Sequence, residues 1–115
     1  MSRIRVYYLD DEPALCDLFS EYFDSGEIEV TTFTRAPDAI AAVNDALPVV
    51  MFIDYRLSDT DGASVARQLP ESLPKVLITG DLAAAPDYPF NYIVSKPFSF
   101  RQVEEIIRTL AKLPD

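Results

Sequence analysis

The sequence predicts an α/β fold built on a parallel, five-stranded sheet, and three observations carry that expectation. Short apolar runs rich in Val, Ile, Tyr and Phe, at Ile4 to Leu9, Val49 to Ile53 and Tyr92 to Val94, have the length and composition of buried strands. Between such runs apolar residues recur at helical spacing, so strand and helix alternate along the chain. Each of the three runs also stops at charge: at Asp10-Asp11, at Asp54, and through Ser95 at Lys96, with Pro97 following.

The elements follow in order. After the first strand, Glu12-Pro13 opens a helix, because a proline in the first turn lacks only an N–H that has no helical partner there. Leu15, Leu18, Phe19, Tyr22 and Phe23 form its apolar face, and Gly26 is its stop. Ile28, Val30 and Thr32 alternate with Glu29, Thr31 and Phe33, the pattern of a half-exposed strand away from the centre of the sheet. A second helix runs from Pro37 to Ala46 with Ile40, Val43 and Leu47 facing inward, and Pro48 stops it. Val49 to Ile53 is apolar without a break, which makes it the central strand. A third helix spans Gly62 to Leu69 with Asp61 as its cap, and Pro70 and Pro74 bracket the turn after it. Lys75 to Thr79 makes the fourth strand. Gly80, Pro86 and Pro89 leave room for no more than a turn or two of helix around residues 82–85, so the fourth helix is shortened or replaced by an irregular loop. Ser99 caps the last helix, with Gln102 completing a capping box and Val103, Ile106, Ile107 and Leu110 as the buried stripe. Alternation with right-handed crossovers and an outlying second strand gives a doubly wound, flavodoxin-like sheet in the order 2-1-3-4-5. Residues 1–115 read as a single domain without repeats or linker.

Composition narrows the function. Nineteen acidic against ten basic residues give a net charge of −9, which argues against nucleic acid as a direct partner. The lone Cys16 cannot form an internal disulfide and reads as a packed or half-exposed thiol suited to a reducing compartment. With no histidine, a histidine nucleophile, base or metal ligand is excluded. The start, Met-Ser-Arg-Ile-Arg-Val, has no signal-peptide apolar stretch and no run is long enough to span a bilayer, so a cytoplasmic protein without membrane contact is expected.

In a parallel sheet the carboxyl ends of all strands share one edge, the edge at which open α/β sheets bind ligands. That edge gathers Asp10, Asp11 and Asp54 beside Lys96. Clustered carboxylates suit a hard divalent cation such as Mg2+, and the ammonium suits a phosphate. Adjacent carboxylates repel one another, so without a cation some of their pKa values should rise. Each piece alone has a plainer reading: an Asp-Asp pair is commonly a strand end or cap, and Lys-Pro a turn. Asp59-Thr60-Asp61-Gly62 has the look of a calcium loop, but in that frame the first and twelfth positions are Leu57 and Gln68, which lack the carboxylates needed. Tyr7 and Tyr8 read as strand residues on opposite faces.

Taken together, Asp10-Asp11, Asp54 after an apolar strand, Asp61-Gly62, Thr79-Gly80 and Lys96-Pro97-Phe98 closely resemble the receiver domain of two-component response regulators, over the whole chain. The resemblance implies that Asp54 accepts a phosphoryl group from a phosphohistidine on a sensor histidine kinase or histidine phosphotransfer protein. It further implies Mg2+ dependence and a phosphorylation-driven switch read by a downstream protein target. Asp11 and Asp54 would hold the cation directly, Asp10 through water, and the backbone carbonyl of Arg56 would complete the set. Lys96 and Thr79 would meet phosphoryl oxygens, the Gly80 N–H would be accessible, and Lys96-Pro97 would be cis. No residue here is a general base for water, so the domain holds a phosphoryl group instead of turning over substrate.

Some positions depart from the family pattern. Ile93 stands where receivers usually carry an aromatic switch residue, three before the lysine, and the tyrosine is displaced to Tyr92. Ser58 replaces the usual proline, and the stretch from Thr79 to Lys96 is several residues short. Strand alternation puts Tyr92 on the face opposite Ile93. The competing reading is a pseudo-receiver or interaction domain that works without phosphate. A phosphate-hydrolysing enzyme on a related sheet fits less well, because such enzymes want a second acid where Arg56 stands.

Overall fold

The computed structural model describes residues 3–23, 26–81 and 86–112. Within these, β1 (Ile4–Leu9), α1 (Pro13–Tyr22), β2 (Ile28–Phe33), α2 (Ala36–Asp45), β3 (Val50–Asp54), α3 (Gly62–Arg67), β4 (Lys75–Thr79), β5 (Tyr92–Ser95) and α4 (Phe100–Ala111) follow in chain order. The five strands form one parallel sheet in the order β2-β1-β3-β4-β5. Every residue of β3 and β4 is buried, whereas β2 keeps one face partly wet, as its alternating sequence requires.

Each face of the sheet is closed by its own helices. Tyr8, Phe52, Ile78 and Val94 pack toward α1 and α4, where Phe19, Val103 and Ile107 meet them. Tyr7, Leu9, Met51 and Ile53 pack toward α2 and α3, against Ala39, Val43 and Val65. Phe19 organises the first layer: its ring stacks on Tyr8 at 4.2 Å and stands 5.6 Å from Phe52. The caps form as their residues dictate. Asp61 accepts from the Ser64 N–H at 2.8 Å, and Ser99 from the Gln102 N–H at 3.0 Å.

Three inward-facing expectations fail. Leu18 and Tyr22 of α1 are about half exposed, because Cys16, Phe19 and Phe23 fill the α1 layer and turn the adjacent stripe outward. Leu47 is exposed because α2 ends at Asp45, leaving Leu47 in the turn before Pro48. Gly26 stands after the end of α1, at φ 122°, a conformation L side chains rarely adopt. The short helix expected around 82–85 lies outside the described residues; on either side of it, Asp81 and residues 86–91 are not helical.

The described part of the β4–β5 connection is fastened to the fold by polar contacts. Lys75 at the start of β4 is 1% exposed, and its ammonium donates to the carbonyls of Pro70 (2.7 Å) and Leu73 (3.0 Å) and lies 5.3 Å from the centre of the Tyr88 ring. A buried ammonium is tolerable when its donors are met in this way. Asn91 brackets the same residue, its N–H donating to the Lys75 carbonyl and its side-chain oxygen accepting from the Lys75 N–H, both at 2.9 Å. Arg67 donates to the Asp87 carbonyl at 2.7 Å. Tyr88 and Phe90 thereby cover the α2–α3 face of the sheet.

Gly62 begins α3 beneath the end of β3. A Cβ there would stand 2.9 Å from the Asp54 carbonyl oxygen and 2.9 Å from Leu77 Cδ1. Gly62→Ala is therefore expected to destabilise the protein by about 1–3 kcal/mol, read from the urea unfolding midpoint, since the obstructing backbone oxygen belongs to the central strand.

Candidate functional site

The parallel sheet delivers its strand ends to one place. Asp10 follows β1, Asp54 is the last residue of β3, Thr79 the last of β4, and Lys96 follows β5. Asp10, Asp54 and Thr79 are buried, and Asp11 and Lys96 are partly so. Lys96 Nζ lies 2.8 Å from Asp54 Oδ1 and 3.7 Å from Asp10 Oδ2. Carboxylate oxygens of Asp10, Asp11 and Asp54 all fall within 4.8 Å of one another. Lys96 is positioned by its backbone, whose N–H donates to the Thr79 carbonyl at 2.8 Å, and its bond to Pro97 is cis.

The electrostatics are those of a crowded acidic pocket. Burial, assisted by Asp10 and Asp11, pushes the Asp54 carboxyl up to about 6, while the bond to Lys96 pulls it the other way. Burial of Lys96 works against its charge, but the bond to Asp54 and the field of Asp10 outweigh it and raise the ammonium above its ordinary value.

Several donors that sequence reading did not assign surround the acids. The Tyr8 hydroxyl donates to Asp10 Oδ2 at 2.5 Å, and the Glu12 N–H donates to Asp10 Oδ1 at 2.9 Å. Burial, then the Asp10 bond, push the Tyr8 hydroxyl far up, so it serves as a donor. Ser58, a departure from the family pattern, donates its hydroxyl to Asp11 Oδ2 at 3.0 Å. The available signal was periodicity: Tyr8 precedes Asp10 by two residues and so shares its side of the strand.

Arg56 pairs with Asp61 in an antiparallel bridge. The flanking bonds are made by its neighbours, Gly62 N–H to the Tyr55 carbonyl at 2.8 Å and Leu57 N–H to the Thr60 carbonyl at 3.2 Å. Antiparallel geometry thus directs the Arg56 carbonyl away from Asp61. Its guanidinium reaches Asp81 at 3.1 Å in an exposed pair. The Thr79 hydroxyl accepts from the Asp81 N–H at 3.0 Å, which links that pair to the end of β4. In β5, Tyr92 pairs with Val76 and Ile93 with Leu77, which sets them on opposite faces. Both are exposed, Ile93 at 55%.

The donor set fits Mg2+. It offers hard carboxylate oxygens with neither sulfur nor imidazole among them, and a buried carboxyl driven up to about 6 by burial and its acidic neighbours, which a cation would relieve.

Residues 6–108 match the family described as the response regulator receiver domain. Over 126 residues the chain is 30% identical to the transcriptional regulatory protein TrcR of Mycobacterium tuberculosis, covering 96% of this chain and 46% of TrcR. It is 29% identical over 125 residues to the transcriptional regulatory protein CreB of Escherichia coli, covering 97% of this chain and 52% of CreB. The chain thus spans about half the length of these curated relatives. Among solved structures, the response regulator TrrA of Thermotoga maritima in complex with Mg(2+)-BeF aligns with a TM-score of 0.81 at 22% identity, covering 96% of this chain and 99% of that one. At that identity the likeness shows the fold alone.

A carboxyl group whose folded-state pKa exceeds its unfolded value binds protons more readily when folded. Its contribution to stability is complete below its unfolded pKa, about 3.9, and is lost as pH rises through about 6. In chelated buffer at pH 7, Asp54→Asn should therefore be more stable than the wild type by about 1–2 kcal/mol. The difference should shrink toward pH 4, as read from urea midpoints across the range.

Proposed function

The chain belongs to the response regulator receiver domain family of two-component systems, and on that premise we propose that Asp54 is its phosphoacceptor. The donor is a phosphohistidine on a sensor histidine kinase or histidine phosphotransfer protein. The observation that carries this reading is the Asp54 carboxylate at the end of the central strand, 2.8 Å from Lys96 and grouped with Asp10 and Asp11.

An Asp54 oxygen attacks phosphorus as the bond from phosphorus to the imidazole nitrogen breaks, and the electron pair leaves with the imidazole. Lys96, now paired with Asp54, turns its charge to a phosphoryl oxygen, and Thr79 offers its hydroxyl to another in place of the Asp81 carbonyl, to which it now donates at 3.4 Å. Asp11 and Asp54 would hold Mg2+ directly, Asp10 through water, with the Arg56 carbonyl as a further ligand. When bound, the cation supplies neutralisation of the repulsion between carboxylates and phosphoryl oxygens.

On this reading the domain holds the acyl phosphate as a phosphoacceptor and is not a turnover enzyme. The change at Thr79 passes to Asp81 and to its pair with Arg56, and this is the switch presented to a downstream protein target. Ile93, exposed on its own face of β5, takes no part as an aromatic reporter. A cytoplasmic setting accompanies this function, and among the described residues no helix is long and apolar enough to cross a membrane. The absence of a nucleic-acid partner is proposed for this domain alone, since relatives of about twice its length are named transcriptional regulatory proteins.

Two outcomes test the reading. With acetyl phosphate and Mg2+ the protein should gain the mass of one base-labile phosphoryl group, and Asp54→Asn should gain none. A pseudo-receiver would show no mass gain at all. Millimolar Mg2+ alone should raise the melting temperature by a few degrees, and chelation should reverse the rise.

A further inference from the structure

Asp10 is the most deeply enclosed acid of the cluster, 0% exposed, and it is held by two donors from its own segment. The Glu12 N–H takes Oδ1 and the Tyr8 hydroxyl takes Oδ2. The Tyr8 ring cannot swing away easily: it is fully buried and stacks on Phe19 at 4.2 Å with 16° between the planes. Phe19 is wedged in turn between Phe23, Phe52 and Phe100. The phenol oxygen is thus fixed by the aromatic layer under α1, and the orientation of the Asp10 carboxylate is fixed by the phenol.

Lys96 makes this restraint consequential. Its ammonium stands between two carboxylates, 2.8 Å from Asp54 and 3.7 Å from Asp10 Oδ2. Oδ2 is the same oxygen that Tyr8 occupies. A carboxylate without that donor would turn onto the ammonium, drawing Lys96 from Asp54 and withdrawing its own lone pairs from the space shared with Asp11 and Asp54.

We propose that Tyr8 is a positioning residue of the site, which clamps Asp10 as a fixed outer carboxylate for the cation and leaves Lys96 to Asp54. This rests on the cation site described under the proposed function. It adds that a neutral hydroxyl from the core sets the geometry of the acidic pair. Groups that orient metal-binding carboxylates commonly change metal affinity by about 10–100-fold when removed.

Tyr8→Phe keeps the ring and its stacking and deletes only the hydroxyl. Mg2+ binding without phosphodonor, followed by NMR titration, should weaken by about tenfold in Tyr8→Phe. The same substitution in an Asp10→Ala background should change nothing further, because the clamp would have no acceptor to hold. With acetyl phosphate, the Mg2+ concentration for half-maximal rate should rise in parallel while the rate at saturating Mg2+ changes by less than about twofold. Unchanged Mg2+ affinity in Tyr8→Phe, or an equal loss in both backgrounds, overturns the role of Tyr8 while leaving the cation site intact. Failure of the wild type to bind Mg2+ overturns the cation site and this inference together.

Discussion

Lys96 Nζ stands 2.8 Å from a buried Asp54 oxygen, with two further carboxylates in the same pocket, and the backbone pairing of separate strands holds all of them there. A single ammonium cannot neutralise three acids. Burying carboxylates costs free energy unless each finds donors, and here they come from the surroundings: the Tyr8 hydroxyl and Glu12 N–H for Asp10, and the Ser58 hydroxyl for Asp11. What is left over shows in Asp54, whose carboxyl is pushed up to about 6. The pocket keeps an unspent demand for positive charge, which is the physical basis of the cation site and phosphoacceptor role proposed for it.

The framework that sustains this arrangement is rigid where the acids are and tied down at the opposite end of the sheet. Gly62 presses α3 against the Asp54 carbonyl, leaving no space for a Cβ. At the other edge, Lys75 buries its charge among the carbonyls of the turn before β4 and faces Tyr88. Because Asn91 and Asp87 are bound to the same region, residues 86–91 cover the sheet face by packing and hydrogen bonding, without being helical. The connection leaves β4 beside Thr79 and Asp81 at the acidic edge and returns along Lys75 at the far one. The Thr79 hydroxyl is hydrogen-bonded to the near end of the connection, while Asp87 and Asn91 tie its far end to the fold.

Much of this was legible in the residues. Apolar runs ending in Asp10, Asp54 and Lys96 reveal the site because parallel strands bring their carboxyl ends to one edge whatever the details of packing. Strand order followed from the alternation, from the wholly apolar third run and from the half-polar second one. Capping by Asp61 and Ser99 is local chemistry and was equally readable. Periodicity was less reliable for Leu18, Tyr22 and Leu47, since apolar residues at helical spacing mark a face without saying how much of it the sheet covers.

The sequence by itself therefore determined the fold class, the sheet edge that holds the candidate site and the acids and lysine that meet there, because these depend on period and chain direction. Only the tertiary structure decided which neutral groups serve those acids, that Lys75 is buried, and which helix residues stay in water. Those outcomes depend on where side chains from distant segments end within a few tenths of an ångström: the phenol of Tyr8 set by Phe19, the hydroxyl of Ser58 set by the turn before α3, the ammonium of Lys75 set by two carbonyls of the preceding turn. Hydrogen bonds weaken steeply with distance and angle, so spacing along the chain cannot specify them and packing must.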